Sequence, residues 1–441
     1  MPPALTEERA VQIEPLYAKL PGGRRGVHGL SKDEVAADQR RRLQGAMIVA
    51  VDRQGYQKTT AREVCRLAGV SERAFYELFD NKQGCFLASY DTIVERGVER
   101  IAAAYRSQGA WQAKLRAAFD AYATEVVSDP KAARLVLVEV LGAGPAAVAR
   151  LRSTRLIFEQ IVSASFSEAP DGVTLPPLIV KGIVCGVERI TRQRLLAGGV
   201  EELPALADEL LAWALSYRSP AATALAATSA AHDEWPAPCW PRPRVENDWA
   251  RILRCAARIA ATNGYAQLTP AQIVCDARVS EATFFELFDS TEQCFLDALD
   301  RLGLEALVCA ARASQSSEDR LAGVHRGIAA LMQHIATTPV LVRVGFVEIF
   351  VVGPAGIQRR ERLLGQFTDL LAKSLPESQG SSALVTEASV GAIWGIVHHH
   401  VTRGATHLLP GLADYATYLA LAPVVGHEAA VQVILDSEEG P

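Results

Sequence analysis

The chain repeats itself once, at a separation of 209 residues. Short motifs of the first half recur in the second: Gly55-Tyr56 and Gly264-Tyr265, Glu77-Leu78-Phe79-Asp80 and Glu286-Leu287-Phe288-Asp289, Cys85-Phe86-Leu87 and Cys294-Phe295-Leu296. A period this long indicates a duplicated domain, because solenoid repeats are only about 20 to 50 residues long. Each copy is therefore expected to fold as a unit.

The repeat persists over most of each half. It still holds at Gly144-Pro145 and Gly353-Pro354 and is followed as far as Gly186 and Gly395. Leu203-Pro204 then matches Leu409-Pro410 at an offset of 206, which predicts a three-residue deletion in the intervening part of the second copy. Residues 219–245, between the copies, hold five prolines and have the composition of a linker.

Apolar residues follow helical spacing nearly throughout. One face of a helix that ends near Gly55 and starts near Arg40 is marked by Leu43, Met47, Ile48 and Val51. The runs 135–141 and 340–352 are rich in β-branched residues, but single strands would have no partner to pair with. The sequence therefore predicts an all-α protein.

Thr60 to Phe79 has the signals of a helix, a tight turn and a second helix. Thr59 or Thr60 is a good N-cap, Gly69 suits the turn, and Ser71 caps a second helix over residues 72–79. A helix-turn-helix places the first side chains of its second helix in the DNA major groove. There Arg73 can contact a guanine or a phosphate, and Tyr76 can donate to a phosphate oxygen.

This stretch resembles the N-terminal domain of TetR-family transcriptional regulators. The similar segments are Gly55-Tyr56, Thr59-Thr60, Ala68-Gly69-Val70-Ser71, Phe75-Tyr76-Glu77-Leu78-Phe79 and Asp80-Asn81-Lys82. The resemblance implies DNA contacts at Thr60, Ser71, Arg73, Tyr76 and Lys82, a helical ligand-binding and dimerisation domain over Ala88–Arg218, and a repressor's role. Arg40 is included among the predicted DNA contacts. The segment Gly22–Gly26 resembles a basic arm that would reach the minor groove through Arg24 and Arg25, with a disordered leader as the alternative.

The second copy lacks part of the chemistry that favours DNA. At 209 positions further on, Gly69 becomes Arg278, Arg73 becomes Ala282, Tyr76 becomes Phe285 and Lys82 becomes Thr291. Residues 38–85 carry a net charge of +3 and residues 247–294 a net charge of −2, within a chain of net −5. We therefore predict that the first helix-turn-helix binds DNA and that the second binds weakly, through Thr269, Arg278, Ser280 and Thr283. The alternative is that four arginines compensate and make both motifs bind as a covalent pseudo-dimer: Arg251, Arg254, Arg258 and Arg278.

The effector is expected to be small and apolar and to bind among the helices that follow either motif. Candidate ligand contacts are Phe119, Tyr122, Glu139, Phe158, Phe346, Glu348, Phe350 and Trp394, with Trp213 and Phe367 as further aromatic candidates. Ordinary core packing is the alternative for the aromatic residues. Glu139 and Glu348 occupy matching positions in apolar runs, where an ion pair with Arg134 or Arg343 is the alternative to a ligand contact.

Other chemistry is weakly represented. Leu141–Ala147 fits a loose dinucleotide fingerprint, but its second copy loses a glycine, and Gly-Pro favours a helix break. The run His398–His400 cannot converge on one metal ion from a helix, and the eight cysteines form no CxxC pair. We predict no catalysis, no metal and no cofactor. With no apolar signal segment and no membrane-length apolar run, a cytoplasmic location is expected.

Together these observations predict a ligand-responsive, sequence-specific DNA-binding repressor, with a protein-interaction or small-molecule sensor module as the alternative. Its expected partners are a double-stranded DNA operator and the effector, and it would act as an intramolecular pseudo-dimer or a homodimer. The expected segments are an arm (1–37), two helix-turn-helix domains (38–87 and 246–296), two helical ligand-binding domains (88–218 and 297–441) and the linker (219–245).

Overall fold

A computed structural model describes residues 15–17, 31–107, 109–169, 174–217, 247–375 and 382–438. Within these ranges every regular element is a helix and none is a strand, which confirms the prediction of an all-α protein. The segment Gly22–Gly26, with Arg24 and Arg25, and the linker 219–245 lie outside the described residues.

The described residues before the linker form nine α-helices. They are α1 (Lys32–Lys58), α2 (Ala61–Ala68), α3 (Glu72–Leu78), α4 (Lys82–Ser107), α5 (Trp111–Ser128), α6 (Pro130–Leu137), α7 (Pro145–Ser167), α8 (Pro177–Ala197) and α9 (Ala207–Ala214). Short 3-10 segments at Glu139–Gly142 and Val200–Leu206 connect α6 to α7 and α8 to α9.

The described part of the second half contains eleven more α-helices. They are α10 (Asp248–Asn263), α11 (Pro270–Ala277), α12 (Glu281–Leu287), α13 (Thr291–Gln315), α14 (Arg320–Thr337), α15 (Pro339–Arg343), α16 (Ile349–Val351), α17 (Pro354–Ser374), α18 (Ala383–Val401), α19 (Ala413–Val425) and α20 (His427–Glu438). A π-helical turn, Val344–Glu348, joins α15 to α16, and α16 lies where the first half has its 3-10 segment.

Helix α1 begins at Lys32, earlier than the start near Arg40 and the domain boundary at residue 38 that the sequence predicted. Ser31 and Glu34 form a capping box, in which each side chain bonds the other residue's backbone N–H, and this local signal extends the helix by two turns. At its other end Gly55 adopts φ 79°, a left-handed conformation that interrupts the helix where Gly264 (φ 87°) ends α10.

The two halves pack against each other along α8 and α18. Gly182 lies against Ala392, and a Cβ atom added to Gly186 would lie 2.8 Å from the carbonyl oxygen of Ala388. Position 388 lies 206 residues after Gly182, and position 392 lies 206 residues after Gly186, so each contact is the counterpart of the other. The helix pair therefore has a twofold-like arrangement. Small residues allow such close backbone approach.

The pairing of Gly186 with Gly395 is therefore wrong. Helices α7 and α17 begin 209 residues apart, whereas α8 and α18 begin 206 apart, so the offset changes before α18 begins. Within a continuous helix a deletion of three residues would rotate every following side chain by about 60° and displace it by about 4.5 Å along the axis. Gly186 corresponds to Ala392, and Gly395 corresponds to Arg189.

Two apolar cores contain residues from both halves. One joins the bundles of α5 to α9 and α13 to α20, and the other joins the helix-turn-helix regions to the segments before α7 and α17. No single described helix is long and apolar enough to cross a membrane. Taken together, the segments Arg320–Thr337 and Pro339–Val351 have the length and composition of a membrane span, but the chain bends by 89° between them.

Candidate DNA interface and effector cavity

The first helix-turn-helix, α2 and α3, has the caps that the sequence predicted. Thr60 caps α2 by accepting from the backbone N–H of Glu63, and Ser71 caps α3 by accepting from Ala74. Gly69 makes the turn between them at φ 61° and ψ 37°, a conformation that costs other residues more. These local bonds fix the direction in which α3 leaves the turn.

The outer face of α3 is exposed. The Arg73 side chain is 90% exposed and pairs with Glu77 at 3.0 Å, one helical turn further on. Tyr76 is 57% exposed and packs edge-on against the buried ring of Phe75. A surface ion pair of this kind contributes little stability, so the guanidinium of Arg73 can exchange Glu77 for another anion at small cost.

Two other predicted DNA contacts have intramolecular partners. The ammonium of Lys82 donates to the carbonyl oxygen of Tyr56 at 3.0 Å and lies 4.2 Å from the centre of its ring. Burial lowers the pKa of Lys82. Arg40 donates to the carbonyl oxygen of Leu78 at 3.1 Å and stacks over Phe79. Lys82 thus connects the start of α4 to α1, and Arg40 connects α1 to the end of α3. Contact of these two side chains with DNA remains a prediction.

The second helix-turn-helix, α11 and α12, keeps the same caps with a different surface. Thr269 forms a capping box with Gln272, and Ser280 caps α12 and bonds Thr283 at 2.8 Å. Arg278 takes the left-handed conformation of Gly69, at φ 54°. Two apolar side chains are exposed on α12, Phe285 at 54% and Leu287 at 39%.

The arginines of α10 that could compensate are partly engaged. Arg251 bonds Asp248 at 2.5 Å and the carbonyl oxygen of Ala277, and Arg258 bonds Asp276 at 2.6 Å. These contacts direct positive charge to neighbouring carboxylates of the same domain.

An elongated cavity lies between the helices of the first half. Its inner chamber, of about 130 Å³, is bounded by α5, α7, α8 and α9, and its outer chamber, of about 110 Å³, by α4 to α7 and Leu16. The chambers share walls formed by Ile101, Tyr122, Leu137, Leu151, Thr154 and Phe158. The structure thus brings the predicted ligand contacts Phe119, Tyr122 and Phe158 together around one cavity.

The chambers differ in polarity. Phe119, Leu115 and Ile161 give the inner chamber an almost wholly apolar surface. The outer chamber is bordered by Arg100 and Glu125, which pair at 2.6 Å, and by Asp129, which accepts from the Tyr17 hydroxyl at 3.0 Å. Such a site suits a molecule with an apolar body and a polar end.

A buried charged cluster separates the inner chamber from the second half. Glu188 accepts from Arg155 at 2.5 and 2.7 Å and also bonds Arg192. Burial by itself raises the pKa of Glu188, but the two arginines lower it to about 2. Across the interface, burial and the nearby arginines lower the pKa of His398 to about 3, so this histidine is neutral near pH 7.

The aromatic candidates of the second half pack mainly on one another. Trp394 stacks on Phe346, with ring centres 4.8 Å apart and an interplanar angle of 16°, and lies 5.8 Å from Phe367. Phe350 contacts Arg360 and His398. Trp213 is buried between the halves and donates to Ser389 at 3.2 Å. Among the described residues no group of histidine, cysteine, aspartate and glutamate side chains has the arrangement of a metal site.

Comparison with known proteins identifies the family of one segment of the chain, the one that contains the first helix-turn-helix. Residues 50–89 match the family model of bacterial regulatory proteins of the tetR family. These residues form a TetR-type N-terminal domain. The matched segment contains the end of α1, all of α2 and α3, and the start of α4. A search among curated proteins found no match to the chain.

Several solved structures are similar to part of the chain. The fatty acid degradation regulator FadR of Bacillus halodurans is 15% identical, with 40% of this chain and 96% of that chain covered and a TM-score of 0.36. FadR of Bacillus subtilis, solved with stearoyl-CoA, is 16% identical, with 39% and 96% covered and a TM-score of 0.36. A TetR-family regulator of Marinobacter aquaeolei VT8 is 16% identical, with 41% and 96% covered and a TM-score of 0.35.

Glu139 lies between the TetR-type domain and the helical bundle, outside the walls of the two chambers. Its carboxylate is 3% exposed and accepts from the backbone N–H of Tyr56 at 2.9 Å, with Arg134 at 3.6 Å. Burial raises the pKa of Glu139, while the Tyr56 N–H and Arg134 oppose the shift. Glu348 repeats the arrangement, accepting from Tyr265 at 2.8 Å with Arg343 at 2.7 Å. The geometry therefore favours the ion-pair alternative over a ligand contact.

Glu139→Ala is expected to lower the free energy of unfolding by about 1–3 kcal/mol, because it leaves the Tyr56 N–H at the junction without its acceptor. The matched variant Glu348→Ala should have a similar effect through Tyr265. Urea unfolding measures the loss, and hydrogen exchange at the two tyrosine amides locates it. A free energy unchanged within about 0.5 kcal/mol would show that this bond does not connect the two regions.

The charged cluster was missed by the sequence reasoning. Arg155, Glu188 and Arg192 were not singled out, although Glu188 and Arg192 lie four residues apart in one helix. That spacing places both on one face and could have indicated a buried ion pair.

Proposed function

We propose that the chain is a ligand-responsive, sequence-specific DNA-binding transcriptional regulator that acts as a repressor in the cytoplasm and has no enzymatic activity. The observation that carries this proposal is the exposed face of α3, where a capped helix-turn-helix within the TetR-type domain presents Arg73 and Tyr76 to solvent. A short helix held in this way can enter the major groove with its exposed side chains first.

The proposed architecture is two TetR-like copies fused in tandem. The matching order of helices, the repeated Gly-Tyr turns and the twofold-like packing of α8 on α18 support it. Because α8 and α18 already cover each other, the chain is proposed to act as an intramolecular pseudo-dimer. An apolar effector in the first copy's cavity would favour one of two domain arrangements, and it can shift DNA affinity only through its different affinity for the two.

DNA binding is tested with the Arg73→Ala, Tyr76→Phe double variant. We expect a loss of about 1–3 kcal/mol, or roughly 5- to 150-fold in Kd, because two side chains that contact base edges or phosphates are removed. The measurement is fluorescence anisotropy with duplex DNA from upstream of the protein's own reading frame, titrated at several salt concentrations. Each lost phosphate contact should lower the slope of log K against log salt by about one.

Changes in the second copy, at Arg278 and at Phe285, the counterpart of Tyr76, separate the two helix-turn-helix motifs. Arg278→Ala and Phe285→Ala should change Kd less than about twofold if the first motif supplies most of the affinity. A loss equal to that of the first-copy variant would instead establish that both motifs bind DNA. Absence of salt-dependent binding by the unmodified protein would refute the regulator proposal.

The exposed apolar residues of α12 favour the alternative role for the second copy. Phe285 replaces Tyr76 of the first copy, Leu287 is exposed on the same short helix, and no basic side chain occurs within Glu281–Leu287. This surface is more typical of a protein-interaction or sensor module whose helix-turn-helix no longer reads DNA.

A further inference from the structure

The two copies differ at positions that border the outer chamber. In the first copy Val94 and Thr154 line that chamber. The corresponding residues, 209 positions later, are Gly303 and Leu363. A Cβ atom added to Gly303 would lie 2.6 Å from Cδ1 of Leu363. Helices α13 and α17 are therefore in direct contact where α4 and α7 leave space.

A second difference narrows the inner chamber. Glu188 borders that chamber in the first copy, and Trp394 occupies the corresponding position in the second. The indole lies across the space, stacked on Phe346 and close to Phe367, and is 8% exposed. The cavity bordered by Trp394 and Phe367 has a volume of about 70 Å³.

These volumes decide which copy can take a ligand. An apolar cavity of about 150 Å³ accommodates a molecule of the size of benzene. The second copy's cavity is about half that size, so it encloses less than a single aromatic ring. The first copy's two chambers, of about 130 and 110 Å³, share walls and together provide an elongated site.

We infer that each chain binds one effector molecule, in the first copy only, and that this molecule is elongated and mainly apolar with a polar group at its outer end. The inference rests on the proposed function and specifies where and in what number the effector binds. The apolar body lies in the inner chamber, beside Phe119 and Ile161, and the polar end lies near Arg100 and Glu125.

The test uses the neutral fluorophore N-phenyl-1-naphthylamine, whose emission rises in apolar sites, titrated into the full chain. The unmodified protein should bind one equivalent per chain. Ile161→Trp, which fills the inner chamber, should weaken binding at least tenfold. Leu370→Trp changes the matched residue of the second copy and should leave affinity and stoichiometry unchanged. Circular dichroism confirms that both variants are folded.

Two equivalents per chain, no saturable binding, or a loss confined to Leu370→Trp would overturn the inference. The stoichiometry of the unmodified protein decides the question even if a variant does not fold. DNA binding is measured by anisotropy on the same preparation. If one probe binds but DNA does not, the regulator role is refuted and the single effector site is retained. If DNA binds but two probes bind per chain, the single effector site is refuted and the regulator role is retained.

Discussion

Glu188→Gln is expected to lower the free energy of unfolding by about 3–5 kcal/mol, because it removes the charge that compensates two buried cations. Arg155 and Arg192 both bond this carboxylate; Glu188 and Arg192 are almost fully buried, and the Arg155 side chain is 16% exposed. The uncharged amide fills the same space but cannot offset the desolvation of either guanidinium. Urea unfolding at pH 7, followed by circular dichroism, measures the loss.

The matched control removes a carboxylate from an exposed pair. Glu77 is 63% exposed and bonds Arg73 with the same i, i+4 spacing that joins Arg192 to Glu188. Glu77→Gln should therefore change the free energy of unfolding by less than about 0.5–1 kcal/mol. Equal losses in the two variants would mean that burial does not set the importance of the Glu188 cluster.

The free energy of unfolding of Glu188→Gln should also depend less on pH in acid than that of the unmodified protein. The pKa of Glu188 lies near 2 in the folded protein, below its ordinary value, so its stabilising effect is present above about pH 4.5 and is lost as the pH falls toward 2. His398, with a lowered pKa, adds a loss that begins below about pH 6.5 in both proteins. The difference between the two urea profiles at pH 3–7 therefore isolates Glu188, and parallel profiles would contradict the assignment.

Local signals were predictable from the sequence, and contacts between distant helices were not. Gly69 and Ser71 were assigned correctly, and Thr60 is one of the two cap residues predicted for α2, because a cap depends on residues within four positions. The bond from Tyr56 to Glu139 joins residues 83 positions apart and depends on how α1 meets the segment after α6. The sequence identified Glu139 as a buried carboxylate in need of a partner, but only the packing shows that the backbone of Tyr56 is one.

The residues that line the cavity were also predictable only in part. Phe119, Tyr122 and Phe158 were expected to line a ligand site, and they border the chambers of the first half. Phe346 and Trp394 were selected by the same criterion, yet they stack on each other. Aromatic spacing on a helix shows which residues turn inward, but whether they surround space or fill it depends on the facing helices.

Trp213→Ala should be the most damaging single truncation at the contact between the halves, with an expected loss of about 3–5 kcal/mol. The indole is 2% exposed, packs against Gly186 and Tyr217, and donates to Ser389 of the second half. Because Gly186 has no side chain to move into the vacated volume, the cavity will be only partly refilled. The free energy of unfolding in urea is the measurement.

Trp249→Ala is the control for loss of a tryptophan without loss of this contact. Trp249 lies near the start of α10 and is 36% exposed, so its truncation should lower the free energy of unfolding by well under half as much.

Light scattering, which measures the mass in solution, shows whether the contact between α8 and α18 forms within one chain or between two. If α8 and α18 cover each other within one chain, the unmodified protein should have a mass near 47.5 kDa at every concentration. A mass of two chains that Trp213→Ala reduces to one would show that the tryptophan joins separate molecules, which would refute the intramolecular pseudo-dimer.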